Sequence, residues 1–261
     1  MKSLVLTAAL AVLASGTGAA QAADVVALIS NDTLAWVDTD SGRVTGRTFV
    51  TGVSGRVLGI DVRPSDGKLY GLFEDGTVAT IDPQTGVANR LETLKTVPAA
   101  GTHVTVDFNP VADAMRIMAS DGTNLRTKIA GGAVAEDKPH AFDSTDMHAA
   151  ETPAIIAGAY TNSYKGTEKT ALYNIDGTIA GLIRQDPPND GTLKAVGKLG
   201  VALEKNVGFD ILSDGRGGNE AWLMTGGTVY SVDLETGKAT LVGVISDVGG
   251  GVRDIAILPN S

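Results

Sequence analysis

An all-β, five-bladed β-propeller with four-stranded blades is the fold that the sequence predicts, and three observations predict it. First, an Asp set between apolar residues recurs roughly every 45–50 residues, the period of a four-stranded blade. It appears at Gly59-Ile60-Asp61-Val62, Val106-Asp107-Phe108-Asn109, Gly208-Phe209-Asp210-Ile211 and Arg253-Asp254-Ile255-Ala256, with Tyr160 of Gly158-Ala159-Tyr160-Thr161 in the remaining place. Second, an Asp-x-x-(Ser/Thr)-Gly frame recurs at Asp38–Gly42, Asp82–Gly86 and Asp233–Gly237, each after an aliphatic residue. Third, the last unit is cut short and its missing strands lie at the other end of the chain.

The turn frame has a physical reason. An Asp carboxylate accepts backbone N–H groups two residues on, and Gly supplies a positive φ; in the second copy Pro83 also pre-sets its own φ. Around that copy, Thr77–Asp82 alternates as a half-buried strand does.

Strands two, three and four of each unit follow the Asp marker. In the first they are Lys68–Phe73, Thr77–Asp82 and Val87–Leu94; in the second, Ala114–Ala119, Leu125–Ile129 and Gly132–Glu136. The third has Lys169–Ile175, Ile179–Gln185 and Leu193–Leu199, and the fourth Glu220–Met224, Thr228–Asp233 and Ala239–Ile245. The fifth has only Asp254–Leu258; Val25–Ile29, Thr33–Asp38 and Val44–Val50 read as its other strands. Putting both termini in one blade closes the ring and removes the open sheet edges of a linear array. Lys138–Ala154 has no periodicity and reads as a loop between the second and third units, a count of six blades following only if it hides strands. Asp186–Asn189 reads as a rigid loop and Asp214–Asn219 as a flexible turn.

The chain has 261 residues, 33 of them Gly and none Cys, so core packing and sheet pairing alone must hold it. Met1–Ala22 reads as a signal peptide: Lys2, the apolar run Leu4–Leu13 and an Ala20-Gln21-Ala22 cleavage signal. That run is too short to span a membrane, and no later one is long enough. A single propeller domain over residues 23–261 is expected, monomeric, and periplasmic or secreted. The formal net charge is −9, and loss of Lys2 makes it more negative. Such a surface argues against nucleic acid, which calls for basic patches.

Several blocks, in this order and spacing, resemble the bacterial domain-of-unknown-function 4394 family. They are Gly59–Leu72 (GIDVRPSDGKLYGL), Asp107-Phe108-Asn109-Pro110, Asn124-Leu125-Arg126, Ala159-Tyr160-Thr161-Asn162, Gln185 with Pro187-Pro188-Asn189 and Gly191-Thr192-Leu193, and Gly208–Ile211. The likeness covers nearly the whole chain after Ala22. Val62 departs from it, since the family tends to have Phe there. The resemblance implies an exported, propeller-like domain and carries no activity and no catalytic residue with it.

Two groups of residues are candidates for function. Asp61, Asp107, Asp210 and Asp254 share one register, so their carboxylates converge on the ring axis. They would repel one another unless a cation, water or Arg neutralised them, and their hard oxygens suit Ca²⁺ or Mg²⁺. The alternative is that each bonds backbone of a turn or a neighbouring blade. The other group is Arg63, Asn109, Asn124, Arg126, Asn162, Gln185 and Asn189, polar residues at strand ends and loops that the repeat does not call for. Amides and guanidiniums bind sugars, carboxylates or backbone and are poor acid–base catalysts.

His103, His140 and His148 lack metal-ligand spacing, although the last two share a loop with Asp137, Asp143, Asp146 and Glu151. No nucleophile elbow or P-loop is present. The expected function is therefore a non-catalytic module binding a small molecule, a glycan or an envelope protein. A hydrolase or lyase with its site in the central channel is the alternative, since paired carboxylates are what glycoside hydrolysis uses.

Overall fold

The computed structural model describes residues 24–39, 41–129, 131, 133–248 and 251–258. The expected signal peptide, Met1–Ala22, lies outside them.

The described residues form five sheets, each one blade. Blade 1 is β4 (Val57–Arg63), β5 (Lys68–Phe73), β6 (Thr77–Ile81) and β7 (Ala88–Thr93). Blade 2 is β8 (Val104–Asn109), β9 (Ala114–Ala119), β10 (Asn124–Thr127) and β11 (Ala135–Glu136). Blade 3 is β13 (Ile155–Tyr160), β14 (Leu172–Asp176), β15 (Gly181–Gln185) and β16 (Thr192–Lys198), with β12 (Ala141–Phe142) added to its outer edge. Blade 4 is β17 (Val207–Ser213), β18 (Asn219–Thr225), β19 (Thr228–Val232) and β20 (Ala239–Val244). Blade 5 joins β21 (Val252–Ile257) to β1 (Asp24–Ile29), β2 (Thr33–Asp38) and β3 (Arg43–Phe49).

The closure expected from the split unit is present. β21 pairs antiparallel with β1, Ala27 opposite Ile255 and Val25 opposite Ile257. The inner strands β4, β8, β13, β17 and β21 then neighbour one another around a closed ring. All five are largely buried on both faces, because each blade packs against a neighbour on either side. The outermost strands β3, β7 and β20 are mostly exposed; β3 and β7 carry charges such as Arg47 and Glu92, which discourages edge pairing, whereas β20 exposes Leu241 and Val244.

The turn frames do more than reverse the chain. The Asp82 carboxylate accepts the amides of Gln84 and Thr85, both at 2.9 Å, and Asp233 does the same for Glu235 and Thr236. Asp38 accepts Ser41 N at 3.0 Å. The closing glycines also dock on the preceding blade. A Cβ on Gly86 would strike the Phe49 carbonyl of blade 5, and one on Gly237 the Gly197 carbonyl of blade 3. Positive φ and close backbone approach together make glycine the residue that fits.

Lys138–Ala154 does not form a sixth blade. Its two-residue strand β12 lies parallel to β16, Ala141 opposite Thr192, and is too short to show periodicity. The second strand of blade 3 starts at Leu172 rather than Lys169. The Lys169 carbonyl is taken by Asn162 Nδ2 and Thr167 Oγ1, both at 3.0 Å, so it cannot join the ladder. Pro187 follows a cis peptide bond, and Pro188–Asp190 forms one 3₁₀ turn closed by Gly191.

Apolar clusters fill the junctions between blades, but unequally. Those joining blades 5 and 1, and blades 1 and 2, draw many residues from both sides. The cluster at blades 2 and 3 takes Met118 alone from blade 2. Polar groups occupy the rest of that junction.

Candidate functional site

The axial register places Asp61, Asp107, Asp210 and Asp254 together, all buried. Oxygens of Asp61, Asp107 and Asp210 lie within 4.8 Å of one another, and these three residues could hold a metal ion. Each carboxylate is also a staple to the next inner strand. Asp61 accepts Phe108 N of blade 2 at 2.7 Å, and Asp107 accepts Tyr160 N of blade 3 at 3.1 Å. Asp210 accepts Ile257 N of blade 5 at 2.7 Å, and Asp254 accepts Ile60 N of blade 1 at 3.0 Å. Three of them also accept the amide that follows in their own strand.

Burial, and then the neighbouring carboxylates, push Asp61 and Asp107 well above the ordinary carboxylate range. Burial does the same to Asp254 and raises Asp210 to about 6, against the lowering effect of the backbone donors. Shifts in this direction favour protons, or a counter-ion, over four free charges at the axis. Asp61 and Asp210 also border a cavity of about 640 Å³ at one mouth of the ring, rimmed by Tyr164, Lys165 and Asp214–Arg216.

Blade 3 carries Tyr160 where the others carry Asp, so blades 3 and 4 lack a carboxylate staple. Asn162 and Asn219 take over there: Asn219 Oδ1 accepts Asn162 N at 2.7 Å, and Asn219 Nδ2 donates to Asn162 Oδ1 at 3.0 Å. The freed Tyr160 hydroxyl points back to blade 2 and accepts Arg116 Nε at 2.7 Å.

Arg116 is the hub of this second site. It is buried between Met115 and Ile117 in β9. Its Nη1 donates to Asn124 Oδ1 at 2.5 Å and Asp137 Oδ2 at 3.1 Å, and its Nη2 to Asn189 Oδ1 at 2.6 Å. Asp137 is shared with Arg126, whose Nε lies 3.1 and 3.0 Å from its two oxygens. The shell behind is also bonded. Asn124 Nδ2 donates to the Lys138 and Pro188 carbonyls, and Gln185 Nε2 to Pro188 O at 2.7 Å. Asn109 caps its own turn by accepting Val111 N and Ala112 N, and its side chain bonds the Tyr160 hydroxyl.

In front of the hub lies a cavity of about 350 Å³. Arg116, Arg126, Lys128, Asn109, Asn189 and Tyr160 line it, with Ala112, Ala114, Ala133 and Ala135 as an apolar wall. Three cations face it, Arg116 and Arg126 sharing Asp137 as their counter-charge, in a chain of net charge −9. The Arg126 terminal nitrogens make no hydrogen bond among the described residues, and its side chain is 44% exposed.

Of the polar residues marked in the sequence, Asn109, Asn124, Arg126, Gln185 and Asn189 thus meet here, Asn124 and Gln185 behind the wall. Arg63 lies elsewhere, bonding Asp113 of blade 2 at 2.8 and 2.5 Å, and Asn162 bridges blades 3 and 4. His148 bonds Glu151 at 2.7 Å and packs on Phe142, while His140 is buried with both ring nitrogens unpartnered among the described residues. Sequence reasoning missed Arg116. The signal was a lone charge inside the otherwise apolar run Ala114–Ala119.

These features define a five-bladed propeller with a carboxylate-lined axis and a cationic cavity between two blades. The chain belongs to the family described as Domain of unknown function (DUF4394), which it matches over residues 17–256. No curated protein matches it. A structural genomics protein of unknown function from Bacteroides thetaiotaomicron shares the fold, with a TM-score of 0.53 at 16% identity over 91% of this chain. The chain spans 65% of that protein's length. A protein of unknown function from Bacteroides caccae gives a TM-score of 0.45 at 9% identity, covering 92% of this chain and all of its own. An auxiliary nutrient binding protein from Bacteroides thetaiotaomicron gives 0.45 at 17% identity, covering 82% and 58%. No helix of the described residues is long and apolar enough to cross a membrane.

Proposed function

We propose that this protein is a non-catalytic binding module that acts as an exported monomer in the periplasm or outside the cell. Its ligand is a small molecule with a negatively charged end, held between blades 2 and 3. The carrying observation is the convergence of Arg116, Arg126, Asn109, Tyr160 and Asn189 on one cavity, where the repeat itself is broken. Its volume of about 350 Å³ falls within the range of small-molecule sites, which pair apolar walls with a few placed polar groups. Arg116 is pre-set by four partners, so little ordering cost falls on binding. A planar guanidinium such as Arg126 suits a carboxylate or phosphate. A metabolite and glycan screen on wild type and Arg126→Gln tests this. A hit that weakens at least tenfold in the variant supports it, and hits unaffected by the substitution refute it.

One observation favours a second reading, a hydrolase or lyase acting at the axis. Asp210, raised to about 6, sits beside Asp61 at the wall of the larger cavity, and a poised carboxyl can serve as a general acid. The repeat equivalence of these Asp residues and their backbone staples favour a structural role. Turnover of any glycoside lost in Asp210→Asn would establish the second reading over the first.

A further inference from the structure

Inner strands in a propeller run parallel around the ring, so their first residues gather at one mouth. Four blades bring a basic residue there. Arg56 immediately precedes β4, His103 immediately precedes β8, Lys205 comes two residues before β17, and Arg253 is the second residue of β21. Arg253 reaches across to blade 1, donating to the Val57 carbonyl at 2.8 Å and to Leu58 O at 3.4 Å, which sets it beside Arg56.

None of these four basic side chains forms a salt bridge among the described residues. Burial lowers Arg253 to about 10, and Arg56 adds to the effect; Asp254 alone opposes it. Burial lowers His103, and Lys205, Arg56 and Arg253 all push the same way. Two acids lie nearby in sequence: Glu74 accepts the Arg56 backbone amide at 3.0 Å, and Glu204 lines a cavity beside Lys205. Arg56 Nε is buried with no hydrogen-bond partner among the described residues. A buried guanidinium N–H left unpaired among like charges is costly, and an anion would satisfy it.

We infer that this basic mouth, at the opposite end of the inner strands from the Asp61–Asp210 cavity, binds a small multivalent oxyanion. Arg56, His103, Lys205 and Arg253 are its ligands. The site is distinct from the cavity between blades 2 and 3. Its place on the ring axis means one anion touches four blades and braces the ring, as any ligand specific to the folded state must stabilise it.

The test is thermal melting and calorimetry with inorganic phosphate or citrate at pH 7, each against NaCl of equal ionic strength. Wild type gains a saturable rise of about 3–6 °C at tenfold excess over Kd. Arg56→Gln and, in case that variant folds poorly, the exposed Lys205→Gln reduce affinity at least fivefold, while Arg47→Gln on the outer edge of blade 5 leaves it unchanged. Response to phosphate alone marks a phosphate-type ligand, and response to citrate alone a polycarboxylate. No rise beyond the NaCl control for either anion overturns the inference. So does an effect equal in wild type, Arg56→Gln and Lys205→Gln, while an effect lost only in Arg126→Gln moves the anion to the other cavity.

Discussion

The junction between blades 5 and 1 and the junction between blades 2 and 3 solve one problem with different chemistry. At the first, a repeated Asp ties one strand to the next, and a broad apolar cluster from both blades does the rest. At the second, the Asp107 staple remains, but the apolar cluster loses blade 2 almost entirely and a buried guanidinium with four partners replaces it. The apolar solution is tolerant and closed. The polar one is exacting, and it leaves a lined cavity at its edge. Architecture that the repeat does not require is where binding chemistry has room to sit.

The sharpest way to break this comparison is to empty the hub. Arg116→Met leaves Asn124, Asn189 and Tyr160 without their shared donor inside the protein. Removing one partner of such a buried network costs about 3–5 kcal/mol, which urea unfolding should read as the largest loss in the series. A loss below about 1 kcal/mol would mean the junction is carried by its apolar part after all.

Next comes the repeated staple. Asp61→Asn keeps one acceptor oxygen where two backbone amides, Val62 N and Phe108 N, need one each. The expected cost is about 1.5–3 kcal/mol, offset in part by relief of the crowded carboxylates.

The ring also predicts a pH dependence, with a definite sign. A carboxyl whose folded pKa is raised favours the folded state when protonated. Its contribution is fully present below the unfolded pKa of about 3.9 and is lost as pH rises through the folded value, about 6 for Asp210. The turn residues Asp82, Asp143, Asp214 and Asp233 are lowered by backbone donors and act the other way, only at more acid pH. The melting midpoint should therefore fall between about pH 4.5 and 7.5, less steeply in Asp210→Asn. A divalent cation at the axis would counter this. Added Ca²⁺ would then raise the midpoint at pH 7.5 and EDTA would lower it, whereas an unchanged midpoint leaves protons as the neutralising species.

Much of the fold was legible because it is periodic. The Asp marker, the turn frames and the split last unit each repeat, and repetition shows in one sequence. Ring closure followed from physical need, since unpaired sheet edges are a liability. The cavity was legible only in pieces. Asn109, Arg126 and Asn189 stood out as polar residues outside the repeat, but their meeting depends on how blades 2 and 3 abut. Arg116 was hidden by its strand, where Met115 and Ile117 mark a core element and a buried charge reads as an exception. Arg63 and Asn162 look the same in sequence, yet they bridge other blades. A polar residue that ties blades together and one that faces a ligand share the same composition and differ only in what surrounds them.

The smallest expected effect on stability is the most telling about function. Arg126 is half exposed and pairs with Asp137 at the rim, so Arg126→Gln should cost no more than about 1 kcal/mol. The direct test is to map any screened ligand by NMR on wild type and on this variant. The account predicts shifts centred on Asn109, Arg116, Arg126 and Asn189, at least tenfold weaker binding in Arg126→Gln, and a nearly unchanged melting midpoint. Shifts centred on Asp61, Asp210 and Asp214–Arg216, with full affinity kept in the variant, would contradict it.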